Sequence, residues 1–355
     1  MSDRFLAPLA AFAIAIAALS LAPASVAGQA GAAGTTAQTA TRRTRTLPRT
    51  PDGQPDLQGV WLSNSATPLE RPKALEGRQF LTDEEVADLK KRADRIFKNE
   101  DSDFAAGDSV FLAALGSVER YKSPNGSTEN SVWMVNREFD NRTSLIADPP
   151  DGKIPPLTPE AQQRQAAARI AAQRPPAGPE DLSNAYRCIT TGVPKLGGLY
   201  GAGHFGYYQI FQTPGYVVLA METIHDARII PLDQRPHLPR TISQWNGDSR
   251  GRWEGDTLVV DTANFSPKSN FMGSAENLHL VERFTRVARD TISYEITLDD
   301  PTTWTKSWTA TILLKQTRDR IYEFACHEGN RPMLGMLTGA RAAEKASEEA
   351  AKRPK

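Results

Sequence analysis

The chain has 355 residues, which is enough for two average domains or one large β-rich architecture. It contains 25 Gly and 25 Pro, close to the usual share, so a low-complexity chain is excluded and a folded, loop-rich body is expected. Lys plus Arg and Asp plus Glu both number 42, so the neutral chain lacks the large basic field that nucleic acid or an anionic membrane surface would require.

Residues 1–27 have the order of a secretory signal peptide. Arg4 precedes an uncharged apolar stretch over residues 6–22, and a run of small residues follows it. A membrane anchor is the alternative, but this stretch is interrupted by Pro8 and is barely long enough to cross a bilayer. We therefore expect cleavage near Gly28, a location in the periplasm or outside the cell, and no membrane attachment of the mature protein.

The rest of the chain is expected to contain one folded domain between two flanking segments. Residues 28–50, rich in Ala, Gly, Thr and Arg, are predicted to be a disordered leader, and residues 345–355 a charged tail. The domain between them, residues 51–344, is predicted to be β-rich. Its Pro-interrupted first part, residues 51–200, offers no complete core and is expected to wrap around an antiparallel sheet over residues 207–327.

The first part of the domain carries signals for one strand and two helices. Residues 57–63 are predicted to form a short opening strand. Thr82 and Glu85 have the spacing of a capping box ahead of an amphipathic helix. A second helix is predicted to begin with Thr158 as its cap and Pro159 at its first position.

From Tyr207 onward the sequence has the pattern of short strands joined by polar turns, and a last helix is predicted to begin near Asn330. Strands without intervening helices indicate an antiparallel meander, and closure protects its edges. We predict a mainly β (α+β) fold whose meander closes into a barrel or half-barrel, wrapped by an irregular N-terminal half with two or three helices. The eight predicted strands contain YYQIFQ, YVVLAME, ARIIPL, TLVVDT, LHLVERFTRV, TISYEITLD, WTATILLKQ and IYEFAC.

Six segments carry a family resemblance. They are PDLQGVW (55–61), ADPPDGKIPPLTPEA (147–161), ETIHDARIIPLD (222–233), GDSRGRWEGDTLVVDTANF (247–265), LHLVERF (278–284) and CHEGN (326–330). Together they resemble a large family of secreted bacterial proteins of unknown function. The resemblance covers about residues 50–344 and implies an exported protein with a single domain, but no mechanism.

The standard catalytic and cofactor-binding motifs are missing from the sequence. There is no P-loop, no GxSxG nucleophile elbow, no HExxH and no CxxCH haem site. The GxGxxG pattern at residues 201–206 precedes a predicted strand instead of opening a helix, so we expect no dinucleotide. The expected partner is a small-molecule ligand or substrate, bound without an organic cofactor.

The two cysteines, Cys188 and Cys326, are predicted to form a disulfide, because an exported chain enters an oxidising compartment. The alternative is a reactive thiol at Cys326, beside His327.

Three of the five histidines have a carboxylate close in sequence: His225, His279 and His327. A histidine with a carboxylate partner is the minimal unit of general acid–base catalysis, so we consider these three candidate catalytic residues. Two alternatives remain open for them, a structural hydrogen-bonding role and a metal site made of the three histidines.

Glu282 is the fourth candidate catalytic residue. Strand alternation places it on an apolar face, opposite to the face of His279. Burial without a cation would raise its pKa and suit a general acid or base. The alternative is an ion pair with one of the arginines at positions 228, 250 and 252.

Residues 245–256 are predicted to form a long polar loop over the mouth of the barrel. Its Arg250, Arg252 and Trp253, together with Arg228, are candidate substrate-binding residues, since they could hold an oxyanion or stack on an aromatic ring. The alternative is an ordinary connection with glycines at turn positions.

These observations predict an exported lyase or isomerase that uses acid–base chemistry on a small aromatic or amphipathic molecule in a pocket of the barrel. The alternatives are a non-catalytic, lipocalin-like binding protein and a histidine-ligated metal enzyme.

Overall fold

A computed structural model describes residues 47–98, 101–124, 137–196 and 205–352. They lie within one compact unit, Thr46–Lys355. The predicted signal peptide, most of the predicted leader and Gly201–His204 of the GxGxxG pattern lie outside the described residues.

One antiparallel sheet forms the body of the described chain. Its hydrogen-bonded path runs in the order β5, β4, β3, β1, β10, β9, β8, β7, β6, and β2 pairs separately with β10. The predicted mainly β, antiparallel fold is thereby confirmed. The strands are β1 Gly59–Ser63, β2 Ile146–Asp148, β3 Tyr207–Thr213, β4 Tyr216–Met221, β5 Ala227–Pro231, β6 Asp248–Glu254, β7 Thr257–Ala263, β8 His279–Ala288, β9 Thr291–Asp299 and β10 Trp308–Thr317.

The sheet curls into a nearly closed barrel whose two edge strands run in the same direction. Nine strands joined by eight antiparallel pairings must end with β5 and β6 parallel to each other. The antiparallel ladder therefore cannot continue from β5 to β6. We call the junction of these two strands the seam, and side chains close it. Gly251 allows β6 to lie close to the end of β5, because a Cβ at this position would be 2.8 Å from Ile230 Cγ2 and 2.7 Å from Leu232 Cδ2.

We expect Gly251→Val to destabilise the protein by about 1 to 3 kcal/mol, because overpacking would push the seam open. The measurement is the free energy of unfolding in urea. Gly335→Val is the control, since nothing lies within 4 Å of a Cβ at that position. Equal unfolding midpoints for wild type and Gly251→Val would contradict this account of the seam.

Side chains fill the interior of the barrel. Burial alternates along the strands, with every second residue of β8, β9 and β10 facing inwards. Arg286 stacks over the indole of Trp61 at 5.3 Å. The largest fully buried side chains of this core include Trp61, Ile210, Leu219, Leu258, Phe284 and Tyr294.

Four helices are present in the described residues, and three begin where the sequence predicts, including the last one, which Asn330 caps. Thr82 and Glu85 form a reciprocal capping box at the first helix, and Thr158 caps the third. The second helix was not predicted, because its seven residues are buried on most sides and show no amphipathic period. The helices are α1 Asp83–Phe97, α2 Ser109–Leu115, α3 Pro159–Ala171 and α4 Arg331–Ala351.

Three strand assignments differ from the predictions, and one of them is the three-residue strand β2, which was not predicted. The segment predicted as a polar loop over residues 245–256 contains the seam strand β6, whose apolar alternation is hidden because Ser249 and Gly251 occupy inward positions. The IYEFAC segment, residues 321–326, is not a strand. No free edge is left for it, because the path ends at β5 and β6, which face each other.

The structure describes only residues 47–50 of the predicted leader, which pack against the folded body instead of being disordered, and residues 345–352 of the predicted charged tail. Within the predicted leader, Arg49 pairs with Asp256 at 2.7 Å and Thr50 is buried. The predicted tail is helical as far as Ala351, because α4 continues through its Ala-rich and Glu-rich stretch.

The predicted cysteine pairing is confirmed. The sulfur atoms of Cys188 and Cys326 are 2.08 Å apart, which joins the segment before β3 to the segment after β10. The alternative of a free reactive thiol at Cys326 is therefore wrong.

Candidate functional site

Long connections gather at one end of the barrel, which we call the β7–β8 end. Residues 264–278 join β7 to β8, residues 232–247 join β5 to β6, and residues 180–196 pack beside them. Two cavities lie among these connections, whereas side chains fill the barrel interior, where the sequence predicted a pocket. Two hydrogen bonds that join the segments are Ser269 Oγ to the Trp245 carbonyl, 2.7 Å, and Asn184 Nδ2 to the Lys268 carbonyl, 3.0 Å.

The three histidines singled out from the sequence occupy different surroundings. His225 is exposed in a short 3-10 turn after β4, and His327 is exposed between β10 and α4. His279 is half-buried at the start of β8. Among the described residues, no three His, Cys, Asp or Glu side chains are arranged to hold a metal ion. The alternative of a three-histidine metal site is therefore wrong.

His279 has a carboxylate partner on the neighbouring strand. Its Nε2 lies 3.1 Å and 3.0 Å from the two carboxylate oxygens of Asp261 on β7. Asp261 stands opposite Val281, so the contact runs diagonally across the strand pair on the outer face. Glu282, the acid three residues after His279, points to the other face and does not fill this role.

A second imidazole, that of His237, extends the network. Its Nε2 lies 2.8 Å from Asp261 Oδ1, and its Nδ1 lies 3.1 Å from Asp248 Oδ2. A carboxylate only accepts hydrogen bonds, so both contacts are satisfied together only when both ring nitrogens carry hydrogen. His237 thus links two carboxylates, and Asp261 is shared by two imidazoles.

The shared carboxylate changes the acid–base properties of the site. Burial opposes the ionisation of Asp261, but hydrogen bonds from His279 and His237 outweigh it and hold the pKa of Asp261 below its ordinary value. The hydrogen bond to Asp261 raises the pKa of His279, against the opposing effect of partial burial. The pair therefore favours an ionised Asp261 beside a basic His279.

His279 also lines an open space, which we call the polar groove, of about 530 Å³. Because Nε2 faces Asp261, a neutral His279 carries its hydrogen there and leaves Nδ1 as the acceptor. Among the described residues, none hydrogen-bonds to this Nδ1. The polar side chains of the groove, besides His279, are Arg240, Ser243, Asn264, Glu276 and Asn277.

The influence of Asp261 on His279 gives a testable pH dependence. We expect the imidazole of His279, followed by NMR, to titrate above its ordinary pKa in the wild type and lower in Asp261→Asn. The raised folded-state pKa means that the His279–Asp261 contact stabilises the fold below the ordinary pKa and is lost as pH rises through the raised value. Asp256→Asn, at the β6–β7 turn, is the control. Unchanged titration of His279 in Asp261→Asn would contradict the coupling.

Glu282 lies inside the barrel, as its strand position predicts, but it has a cationic partner. Its side chain is fully buried, and the two Glu282 oxygens accept hydrogen bonds from Arg228 Nη1 at 3.0 Å and Nη2 at 2.5 Å. The Tyr294 hydroxyl donates to the same carboxylate. Arg228 also donates to Ser249 Oγ at 3.0 Å and Thr262 Oγ1 at 2.9 Å. The alternative of a buried ion pair is therefore the one that the structure contains.

The predicted substrate-binding residues do not form one clamp. Arg228 is enclosed with Glu282, so it is not available to a solute. Arg250 and Arg252 lie on the outer face of β6 and pair with the carboxylates of Asp248 and Glu254. The remaining candidate, Trp253, lies on the opposite face and packs against the barrel core.

Sequence reasoning missed His237 and Asp261. His237 lies in a Pro-rich connection without a neighbouring acid, and its partners are 11 and 24 residues away. Asp261 could have been noticed, because strand alternation turns it away from buried Val260 and Thr262. Its contact with His279 depends on the register of β7 and β8, which no local spacing reveals.

A scan of protein-family models and searches of the curated proteins and of the solved structures find no match to this chain. The resemblance to a family of secreted bacterial proteins therefore stays a prediction. In the part of the chain that the structure describes, no helix is long and apolar enough to cross a membrane.

Proposed function

We propose that the protein is an acid–base enzyme of the lyase or isomerase type that acts on a small molecule in the polar groove. The observation that carries this proposal is the His279–Asp261 pair, in which both carboxylate oxygens lie within 3.1 Å of one ring nitrogen. The carboxylate fixes the tautomer, so that Nδ1 of the groove-lining imidazole can accept a proton.

The polar lining of the groove favours a polar substrate over the aromatic or amphipathic molecule expected from the sequence, and we propose a carboxylic acid held by Arg240, with Glu276 in the same lining. Arg240 supplies a positive charge, and Ser243 and Asn277 supply hydrogen-bond donors along the same surface. A substrate carboxylate bound by these groups would hold a neighbouring carbon acid near His279. Neutral His279 then takes the carbon-bound proton, and the resulting imidazolium, stabilised by Asp261, returns it to the product.

The experiment is hydrogen–deuterium exchange at carbon in D₂O, followed by proton NMR, on a panel of small carboxylic acids that carry a carbonyl group. We expect the wild-type protein to accelerate exchange in one of them, and the rate to increase as His279 becomes neutral. His279→Gln is expected to lower the rate by about 10² to 10⁴-fold, the usual contribution of a general base.

His225→Gln is the matched control, because His225 is an exposed histidine outside this network. It is expected to leave the exchange rate unchanged. Asp261→Asn is expected to move the pH profile to lower pH, since the hydrogen bond to Asp261 raises the pKa of His279. Equal rates in the wild type and His279→Gln, or no accelerated exchange across the panel, would contradict the proposal.

We also propose that the protein works in the periplasm or outside the cell. Two observations support this location, the signal-peptide pattern of residues 1–27 and the bonded pair of Cys188 and Cys326. Intact-mass measurement of the protein from the periplasmic fraction is expected to show a chain that begins near Gly28. A full-length chain in the cytoplasmic fraction would contradict this location.

A further inference from the structure

A larger cavity, of about 620 Å³, lies at the β7–β8 end, and we call it the loop-end cavity. It shares Phe265 and Leu278 with the polar groove, so these two buried side chains form a wall between the two spaces. Its volume is in the range of small-molecule sites. Trp245 adds a further apolar surface, Lys268 adds a positive charge, and Arg187 pairs with Glu180 of the same lining at 3.7 Å.

Behind this cavity lies a lysine that no carboxylate neutralises directly. Lys195 is only 3% exposed, and its Nζ donates a hydrogen bond to Thr191 Oγ1 at 2.7 Å. Among the described residues, no carboxylate oxygen lies within 4.0 Å of this amine. The charge of Asp226 acts on this amine, but the Asp226 carboxylate accepts a hydrogen bond from Thr190 Oγ1 instead.

The surroundings of Lys195 make its neutral form easier to reach than that of an exposed lysine. Burial lowers the pKa of Lys195 to about 8, and the charge of Asp226 opposes this effect only in part. A neutral amine can accept the proton of a hydroxyl group, whereas an ammonium cannot. Thr191 lines the loop-end cavity, so its hydroxyl stands between the amine and any molecule bound there.

We propose that Thr191 and Lys195 form a nucleophile–base pair that hydrolyses a small carboxylic ester bound in the loop-end cavity. The Thr191 oxygen would bond to the acyl carbon while its proton moves to Lys195 Nζ. The carbon–oxygen bond to the leaving alcohol then breaks, and the alcohol takes the proton from Lys195. A water molecule then adds to the acyl carbon while its proton moves to Lys195 Nζ. The bond between the acyl carbon and the Thr191 oxygen breaks, and this oxygen takes the proton back from Lys195. The acid is released and the starting pair is restored.

The lining of the cavity fits such a substrate. An apolar acyl group would pack against the wall of Trp245, Phe265 and Leu278. Lys268 would stabilise the negative charge that develops on the carbonyl oxygen, because Arg187 already pairs with Glu180. This activity is separate from the acid–base function proposed for His279, since Phe265 and Leu278 stand between the two spaces.

The test uses p-nitrophenyl butyrate as substrate and an alkyl fluorophosphonate as covalent probe, both with the full mature protein. We expect ester hydrolysis, an adduct on Thr191 in peptide mass spectrometry, and rates that increase with pH through about 8. Lys195→Met is expected to lower the rate of ester hydrolysis and the rate of adduct formation, each by about 10² to 10⁴-fold. Thr191→Val is expected to abolish the adduct, and Thr191→Ser to retain it.

Lys315→Met is the matched control. Lys315 Nζ also donates a hydrogen bond to a threonine, Thr291 Oγ1, at 2.9 Å, but neither residue lines the loop-end cavity. It is expected to change neither rate. Absence of an adduct on Thr191 in the wild type, or equal rates in the wild type and Thr191→Val, would overturn the proposal. Because Thr191→Val and Thr191→Ser differ only at this side chain, their comparison decides the outcome even if Lys195→Met fails to fold.

Discussion

Glu282→Ala is expected to destabilise the protein by about 3 to 5 kcal/mol, because it leaves the guanidinium of Arg228 as an unpaired charge inside the barrel. Glu282 is fully buried and only 6% of the Arg228 side chain is exposed, so water cannot replace the lost carboxylate. The Tyr294 hydroxyl loses its acceptor in the same variant. The measurement is the free energy of unfolding in urea, with far-UV circular dichroism as the probe.

Two further variants separate the cost of an unpaired charge from the cost of lost packing. The double variant Arg228→Met with Glu282→Leu removes both charges, and we expect it to recover much of the lost stability. Glu254→Ala removes an exposed carboxylate that pairs with Arg252 and Arg283, and we expect a far smaller effect. A double variant that is as unstable as Glu282→Ala would show that packing, and not charge, dominates.

Replacing both cysteines by alanine is expected to destabilise the protein by about 4 to 5 kcal/mol on the chain-entropy account. The bond between Cys188 and Cys326 closes a separation of 138 residues, which includes most strands of the barrel. Without it, the unfolded chain gains conformational freedom that folding must remove. The double variant should therefore unfold at a lower urea concentration than the oxidised wild type.

Reduction provides the control for this experiment. The wild-type protein in reductant is expected to unfold at nearly the same urea concentration as the double alanine variant, and reductant should not affect the variant. A wild-type protein whose stability does not change on reduction, although both thiols become free, would contradict a stabilising role for the bond.

Local sequence signals predicted those features that depend on near neighbours in the chain. Helix α1 begins where Thr82 and Glu85 can satisfy its free backbone amides, and this depends only on a spacing of three residues. Strand alternation likewise places Glu282 inside the barrel and His279 outside it. The seam strand β6 escaped prediction because glycine and charged residues obscure its period.

The sequence by itself determined the antiparallel β architecture, two of the helix caps and the cysteine pairing, because these follow from composition, periodicity and the small number of cysteines. Only the tertiary structure decided which groups meet. Strand register places Asp261 beside His279, and curling of the sheet brings Arg228 onto Glu282 from 54 residues away. The fold also buries Lys195 behind Thr191. Such contacts depend on register, closure and burial, which are properties of the whole barrel and not of any short stretch of sequence.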